Sequence, residues 1–442
     1  MNNEKSAEYA NKLSQMIKER TVSGKQTADK AAFHRFGELL KTLFPELYSV
    51  CEAEDFDGSI LLRWRGKGGG EPIMLMNHHD VVEAPGEWKY PPFSGEIADG
   101  KLWGRGTLDT KGGLFCMLEA ADSLAKEGFC PECDVYFVST CNEECDGKGA
   151  DAISTVLAER GIHFKMVLDE GGMIIDEPIG GAKGKYAMIG IGEKGCADLK
   201  FIARSSGGHA STPGKNTPLV RLGKFMAEVE KGKLFDAEIS NEVSAMLYSV
   251  SRSMSGGMRF LLGHNRLLAP LLSKVMPKVS DAAGAMLKTT VAFTMASGSD
   301  GANVLPREAW VVGNMRYSHH QGRDDSIEAI RKLAKKYGVE TEVLDGGFPS
   351  PLSSPTGKPF KLIEQAVEKI FPDVRVSPYV MTAASDSRFM SRVSEECLRF
   401  TPFIIDDAQL ASVHGVNENV DVASLEPAVE FYRYLLKECG NI

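Results

Sequence analysis

The sequence predicts an α/β protein: a mainly parallel sheet flanked by helices, with a smaller α+β domain inserted into it. Three observations carry that expectation. In the first half, the apolar runs Pro72–Asn77, Asp134–Thr140 and Phe164–Leu168 read as buried strands, and they alternate with helical spacing over Thr110–Lys126 and Ala150–Glu159. That order is the signature of a parallel sheet covered on both faces. Near Gly190 the texture changes. Gly195–Ala203 alternates like a strand with one exposed face, and helical then strand-like segments run to about Gly346. Pro349, Pro351 and Pro355, with their serines, then form a loop that returns the chain to a final helix-rich segment. The expected boundaries are 1–191 and 348–442 for a discontinuous outer domain and 192–347 for the insert.

Length and charge narrow the functions. A chain of 442 residues has room for two or three domains. With 43% hydrophobic and 25% charged residues it is globular, which excludes disordered and fibrous architectures. The net charge of −9 provides no electrostatic footprint for nucleic acid. Nine cysteines are an odd number, and Cys130-x-x-Cys133 has no second pair at zinc-finger spacing, so reduced thiols are expected. Met1-Asn-Asn-Glu-Lys-Ser leads into a charged amphipathic stretch without the apolar core of a signal peptide. Arg266, Lys274, Lys278, Asp281 and Lys288 interrupt Phe260–Phe293 well short of the roughly 20 apolar residues a span needs. The expectation is a cytoplasmic protein with neither a nucleic-acid nor a membrane partner. Asn241–Ala285, rich in Met, Leu and Lys, has helical spacing and no assignable motif.

Chemistry-bearing residues gather after the strands, where ligands bind in such sheets. His78-x-Asp80 follows the first strand, a spacing that lets a metal-bound imidazole donate its other N–H to a nearby carboxylate. Gly104-Arg-Gly-Thr-Leu-Asp109-Thr-Lys-Gly-Gly113 puts a carboxylate at a helix entry, where a capping role is the plainer alternative. Glu143-Glu144 follows the second strand and Asp169-Glu170 the third, while His414 supplies a second imidazole near the C-terminus. Each signal is weak alone. Together, two histidines and several carboxylates suit an oxygen-rich dinuclear site for Zn²⁺, Mn²⁺ or Co²⁺.

The ordered set resembles the dinuclear zinc peptidases, a group that includes aminoacylase, carboxypeptidase S, glutamate carboxypeptidase, acetylornithine deacetylase and succinyl-diaminopimelate desuccinylase. Beyond the motifs above, the likeness rests on Gly208-His209-Ala-Ser, Asn303-Val-Leu-Pro306, Asp386-Ser-Arg388 and His414-x-x-Asn417-Glu418. It runs from about residue 70 to 435. The resemblance implies two divalent ions, Zn²⁺ first and Co²⁺ or Mn²⁺ as alternatives, bridged by Asp109. His78 and Glu170 would complete one site, Glu144 and His414 the other, with Asp169 as the rival to Glu170. It further implies that Asp80 orients His78, that Glu143 is the general base acting on a bridging water, and that the Asp109–Thr110 peptide is often cis. The insert would be a lid and dimerisation domain of a homodimer. His209 would reach a neighbouring subunit's oxyanion, and Asn303, Arg316 and Arg388 would bind substrate, the arginines through its carboxylate. The implied reaction is hydrolysis of an amide beside a free carboxylate. Its substrate would be a small peptide, or alternatively an N-acyl amino acid. A degenerate binding module is the rival of another class, and it predicts a broken ligand shell. All five implied ligands and Glu143 are present.

Other templates fail. His209-Ala-Ser-Thr-Pro-Gly214-Lys215-Asn216 misses the phosphate-loop pattern at its first glycine and its last hydroxyl. Gly104-x-Gly106 lacks the third glycine of a dinucleotide fingerprint.

Overall fold

In a computed structural model, which describes residues 3–24, 29–347 and 350–442, the strands Val135–Thr140, Ile73–His78, Met166–Asp169 and Cys397–Arg399 lie side by side and parallel. They form the centre of a ten-stranded sheet whose remaining members include the antiparallel strands Ser59–Trp64 and, at the edge, Cys51–Phe56. Ile73–His78 and Val135–Thr140 are buried along their whole length. Uninterrupted apolar runs are what a sheet covered on both faces requires. His78 pairs with Thr140, so the loops that follow these strands leave from the same edge.

The helix Lys111–Lys126 covers one face and packs against the C-terminal helix Val422–Glu438. Its first turn lies so close to the sheet that a Cβ at Gly113 would come within 2.5 Å of Asn77 Oδ1. The glycines of the sequence motif are therefore needed for packing. Their neighbour Gly106 has φ +91°, a conformation side chains disfavour.

Residues 195–347 contribute a separate four-stranded antiparallel sheet, in the order Thr290–Ser297, Glu308–Tyr317, Gly195–Arg204, Glu340–Asp345. Its core joins Phe201, Phe225, Val311 and Ile330, with Pro218–Glu230 and Arg323–Lys336 supplying the helical cover. Four helices, Asn241–Ser251, Gly256–Gly263, Ala269–Val279 and Asp281–Leu287, occupy the segment without a motif. They do not join that core. Val243, Met246 and Leu247 instead pack on Tyr186 and Met188 of the ten-stranded sheet.

Pro351 and Pro355 lie in the return loop, as expected, while Pro349 and the proposed boundary at 348 fall outside the described residues. All nine cysteines, Cys130 and Cys133 among them, are free thiols. No helix of the described residues is long and apolar enough to cross a membrane.

Candidate metal centre

Asp109 stands at the centre of the cluster. Its Oδ1 lies 3.0 Å from Nε2 of His78 and its Oδ2 2.9 Å from Nε2 of His414. Glu144 approaches the same His414 nitrogen at 3.1 Å. One donor atom each from His78, Asp109 and Glu144 falls within 4.8 Å of the others. Asp109 is not the helix cap: the helix begins after Thr110, and the Asp109–Thr110 peptide is cis.

Backbone contacts hold these groups. His78 Nδ1 is 2.9 Å from the Asp80 carbonyl and 3.4 Å from the Asp80 carboxylate, which leaves Nε2 facing Asp109. The Asp80 carboxylate also accepts the N–H groups of both Glu143 and Glu144 at 3.1 Å. One fully buried side chain thus ties the end of the first strand to the glutamate pair after the second.

Glu418 performs the same service for Asp109. Its carboxylate accepts from the backbone N–H of Gly106, Leu108 and Asp109 and from Arg105 Nη1 at 2.8 Å. Arg105 Nη2 also donates to the Gly415 carbonyl at 2.8 Å, beside His414, whose φ of +58° is rare outside glycine. The sequence motifs contain both Arg105 and Glu418, but no role could be read for either. The available signal was a buried-type pair, Arg and Glu, inside two glycine-rich motifs.

The electrostatics point to cations. Burial alone would lower the His78 pKa, yet hydrogen bonds to Asp109 and Asp80 hold it well above the usual value. Bonds to Asp109 and Glu144 push His414 up to about 10. Burial works to raise Asp109, and the two imidazoles outweigh it and hold its carboxyl low. Burial, reinforced by the neighbouring carboxylates, drives Glu143 and Glu170 well above the ordinary range, and burial raises Glu144. Two imidazoles among four crowded carboxyls leave more negative charge than they can compensate. The donor set of nitrogen and carboxylate oxygen fits divalent ions of the Zn²⁺, Mn²⁺ or Co²⁺ kind.

The acidic pair after the third strand divides cleanly. Asp169 is fixed by backbone: Oδ1 accepts from Glu170 N–H and Oδ2 from Ser387 N–H, both at 2.8 Å. Glu170 feels the charges of Asp109 and Asp169 as its leading neighbours. Glu143 faces Arg388, whose Nη1 is 3.9 Å from its Oε1 and 2.9 Å from the Ser385 carbonyl. Asp386 accepts from Thr140 Oγ1 at 2.6 Å, while its buried Oδ1 has no partner, and burial raises its pKa to about 7. His79, next to the ligand-like His78, stacks on Phe36 at 4.8 Å and is driven by burial down to about 3. It is a neutral core residue.

None of the insert's three residues makes a hydrogen bond to this cluster among the described residues. His209 is exposed and bonds locally to Ser211 Oγ at 2.7 Å. Gly208–His209 pairs with Val304–Leu305, which brings exposed Asn303 alongside. Arg316 lies at the base of the insert, where Nε donates to Asn314, buried Nη1 has no partner, and its charge helps depress Lys194. His209 and Asn303 come together; neither hydrogen-bonds to the metal cluster.

The family model described as Peptidase family M20/M25/M40 matches residues 74–438. The chain is 30% identical over 442 residues to probable carboxypeptidase S-like 2 of Dictyostelium discoideum, covering 97% of this chain and 85% of the relative. It is 29% identical to the human N-fatty-acyl-amino acid synthase/hydrolase PM20D1, covering 94% and 84%. Its fold matches the M20 family metallo-carboxypeptidase Sso-CP2 from Sulfolobus solfataricus with a TM-score of 0.73 over the whole of both chains, at 17% identity. The chain belongs to peptidase family M20/M25/M40 and is a metallohydrolase acting on amide bonds.

Proposed function

We propose that the protein hydrolyses a linear amide beside a free carboxylate, as a carboxypeptidase or dipeptidase, with His78, Asp109, Glu144, Glu170 and His414 holding two divalent cations. The observation that carries this reading is the Asp109 carboxylate, which offers one oxygen to each of two imidazoles. When bound, the cation pair supplies Lewis acidity and a water of lowered pKa. Glu143 keeps its carboxylate off both imidazoles and takes the proton of the attacking water, then returns it to the leaving amine. Asp169, spent on two backbone amides, leaves the ligand role to Glu170. Arg388, beside Glu143, and Arg316 receive the substrate carboxylate.

Residues 1–191 with 348–442 act as the catalytic body and 192–347 as lid and dimerisation domain. His209 and Asn303 are supplied across a homodimer, His209 to the oxyanion and Asn303 to the substrate. The free thiols suit a reducing compartment, the cytoplasm.

Deacylation of N-acyl amino acids is the second reading, favoured by the likeness to the N-fatty-acyl-amino acid enzyme. Metal-free protein reconstituted with Zn²⁺, Co²⁺ or Mn²⁺ and assayed on dipeptides and N-acyl amino acids separates the two. Turnover of dipeptides supports the first, and turnover of N-acyl amino acids alone replaces it with the second. Full activity without metal contradicts both.

A further inference from the structure

The helix Ala269–Val279 is apolar on two sides. Leu272 is buried and Met276 packs on the cluster around Leu247 and Leu262. On the outer side Leu267, Leu271, Val275 and Val279 recur at every fourth residue and are 80%, 53%, 44% and 78% exposed. At 1.5 Å per residue the helical part, Leu271 to Val279, makes a stripe about 12 Å long, and Leu267 in the turn before the helix extends it. Met258 and Phe260, 45% and 59% exposed on the preceding helix, add to it. The inner side already packs the helix on the body, so the outer stripe is a second apolar face left exposed.

Charge says by what. Between residues 243 and 280 there are five Arg and Lys and no Asp or Glu, in a chain of net charge −9. Arg259, Arg266, Lys274 and Lys278 are exposed in the same stretch as the stripe. Leu, Val and Phe interleaved with Lys and Arg on short helices is the composition of an element that lies in a lipid interface. A second copy is the weaker occupant, because a symmetric contact would bring the basic stretch of each copy toward that of the other. From sequence, these same charges excluded a span and no membrane contact was expected. Lying flat needs no span, and the exposure of the stripe becomes visible only in the folded chain.

We propose that residues 256–279 form a docking surface for an anionic lipid bilayer, with the apolar stripe entering the headgroup region and the basic side chains contacting the lipid charges. The surface is independent of the hydrolytic reading.

The test uses the full chain, loaded with metal, and sedimentation with vesicles of phosphatidylcholine alone or mixed with phosphatidylglycerol. Binding to the anionic vesicles is expected to exceed binding to phosphatidylcholine by about tenfold or more, and to weaken as salt rises. Lys274→Glu with Lys278→Glu should remove that preference. Leu271→Ser with Val275→Ser should weaken binding at every salt concentration, and both double variants should keep parental turnover of a soluble substrate, which verifies their fold. Equal binding to both vesicle types, or double variants that bind like the parent, would overturn the proposal. So would a dimer that Leu271→Ser with Val275→Ser converts to monomer in light scattering while vesicle binding stays at the parental level, since the stripe then belongs to a second copy.

Discussion

Two polar clusters of this molecule differ in how complete they are. At the strand ends, His78, Asp80, Asp109 and Glu418 are held within one chain, with every carboxylate fixed by imidazole, guanidinium or backbone N–H. On the insert, His209 sits in a two-residue ribbon with Asn303 beside it; both face solvent, and among the described residues neither hydrogen-bonds to the metal cluster. Parallel strands deliver their loops to one edge, so ligands from distant sequence positions converge without help. An edge ribbon has no such geometry behind it. On the proposed reading its residues work only when another surface closes on them.

The contrast can be broken from either side. The largest effect is expected for Asp109→Ala, which removes the group shared by both imidazoles: metal content and turnover should vanish together, checked by elemental analysis and a progress curve. His209→Ala should lower kcat by about 10²–10³, the cost of one oxyanion donor, with metal content unchanged. Mixing His209→Ala with an Asp109→Ala partner in excess should then restore part of the activity if the ribbon acts across subunits. Glu418→Gln keeps the shape but weakens the bonds to Gly106, Leu108 and Asp109, and a fall of about 10–100-fold in metal affinity is expected by competition with a chelating dye.

The smallest effect concerns stability alone. Burial raises Asp386 to about 7, so in metal-free protein its proton is bound more tightly in the folded state. Its contribution is full below the unfolded carboxylate value near 3.9 and is lost as pH rises through about 7. Asp386→Asn should therefore flatten the decline of the urea midpoint across that window.

The difference between the clusters also explains what sequence could reveal. His78, Asp109, Glu143, Glu144, Glu170 and His414 were legible because they follow apolar runs or recur in an ordered motif set. The carboxylates of Asp80 and Glu418 were only half legible. Their main partners are backbone amides, which leave no side-chain signature, and Glu418 lies 310 residues from Leu108. The helices between 241 and 287 were legible as helices but not in position, because nothing in the sequence marked Tyr186 and Met188 as the surface they cover. His79 could not be told from His78 by sequence. Both rings are buried; what separates them is that His78 turns Nε2 toward Asp109 while His79 stacks on Phe36.

The claim on which the account turns is that Glu143 carries protons while its neighbour Glu144 holds metal. Metal content and single-turnover rate measured together on Glu143→Gln and Glu144→Gln test it directly. Glu143→Gln is expected to keep its full complement of metal and to slow the chemical step by about 10²–10⁴-fold. Glu144→Gln, which weakens a contact to His414, is expected to lose metal and rate in parallel. Loss of metal from Glu143→Gln with retention in Glu144→Gln would mean that the two roles are exchanged, and unchanged rates in both would contradict the account.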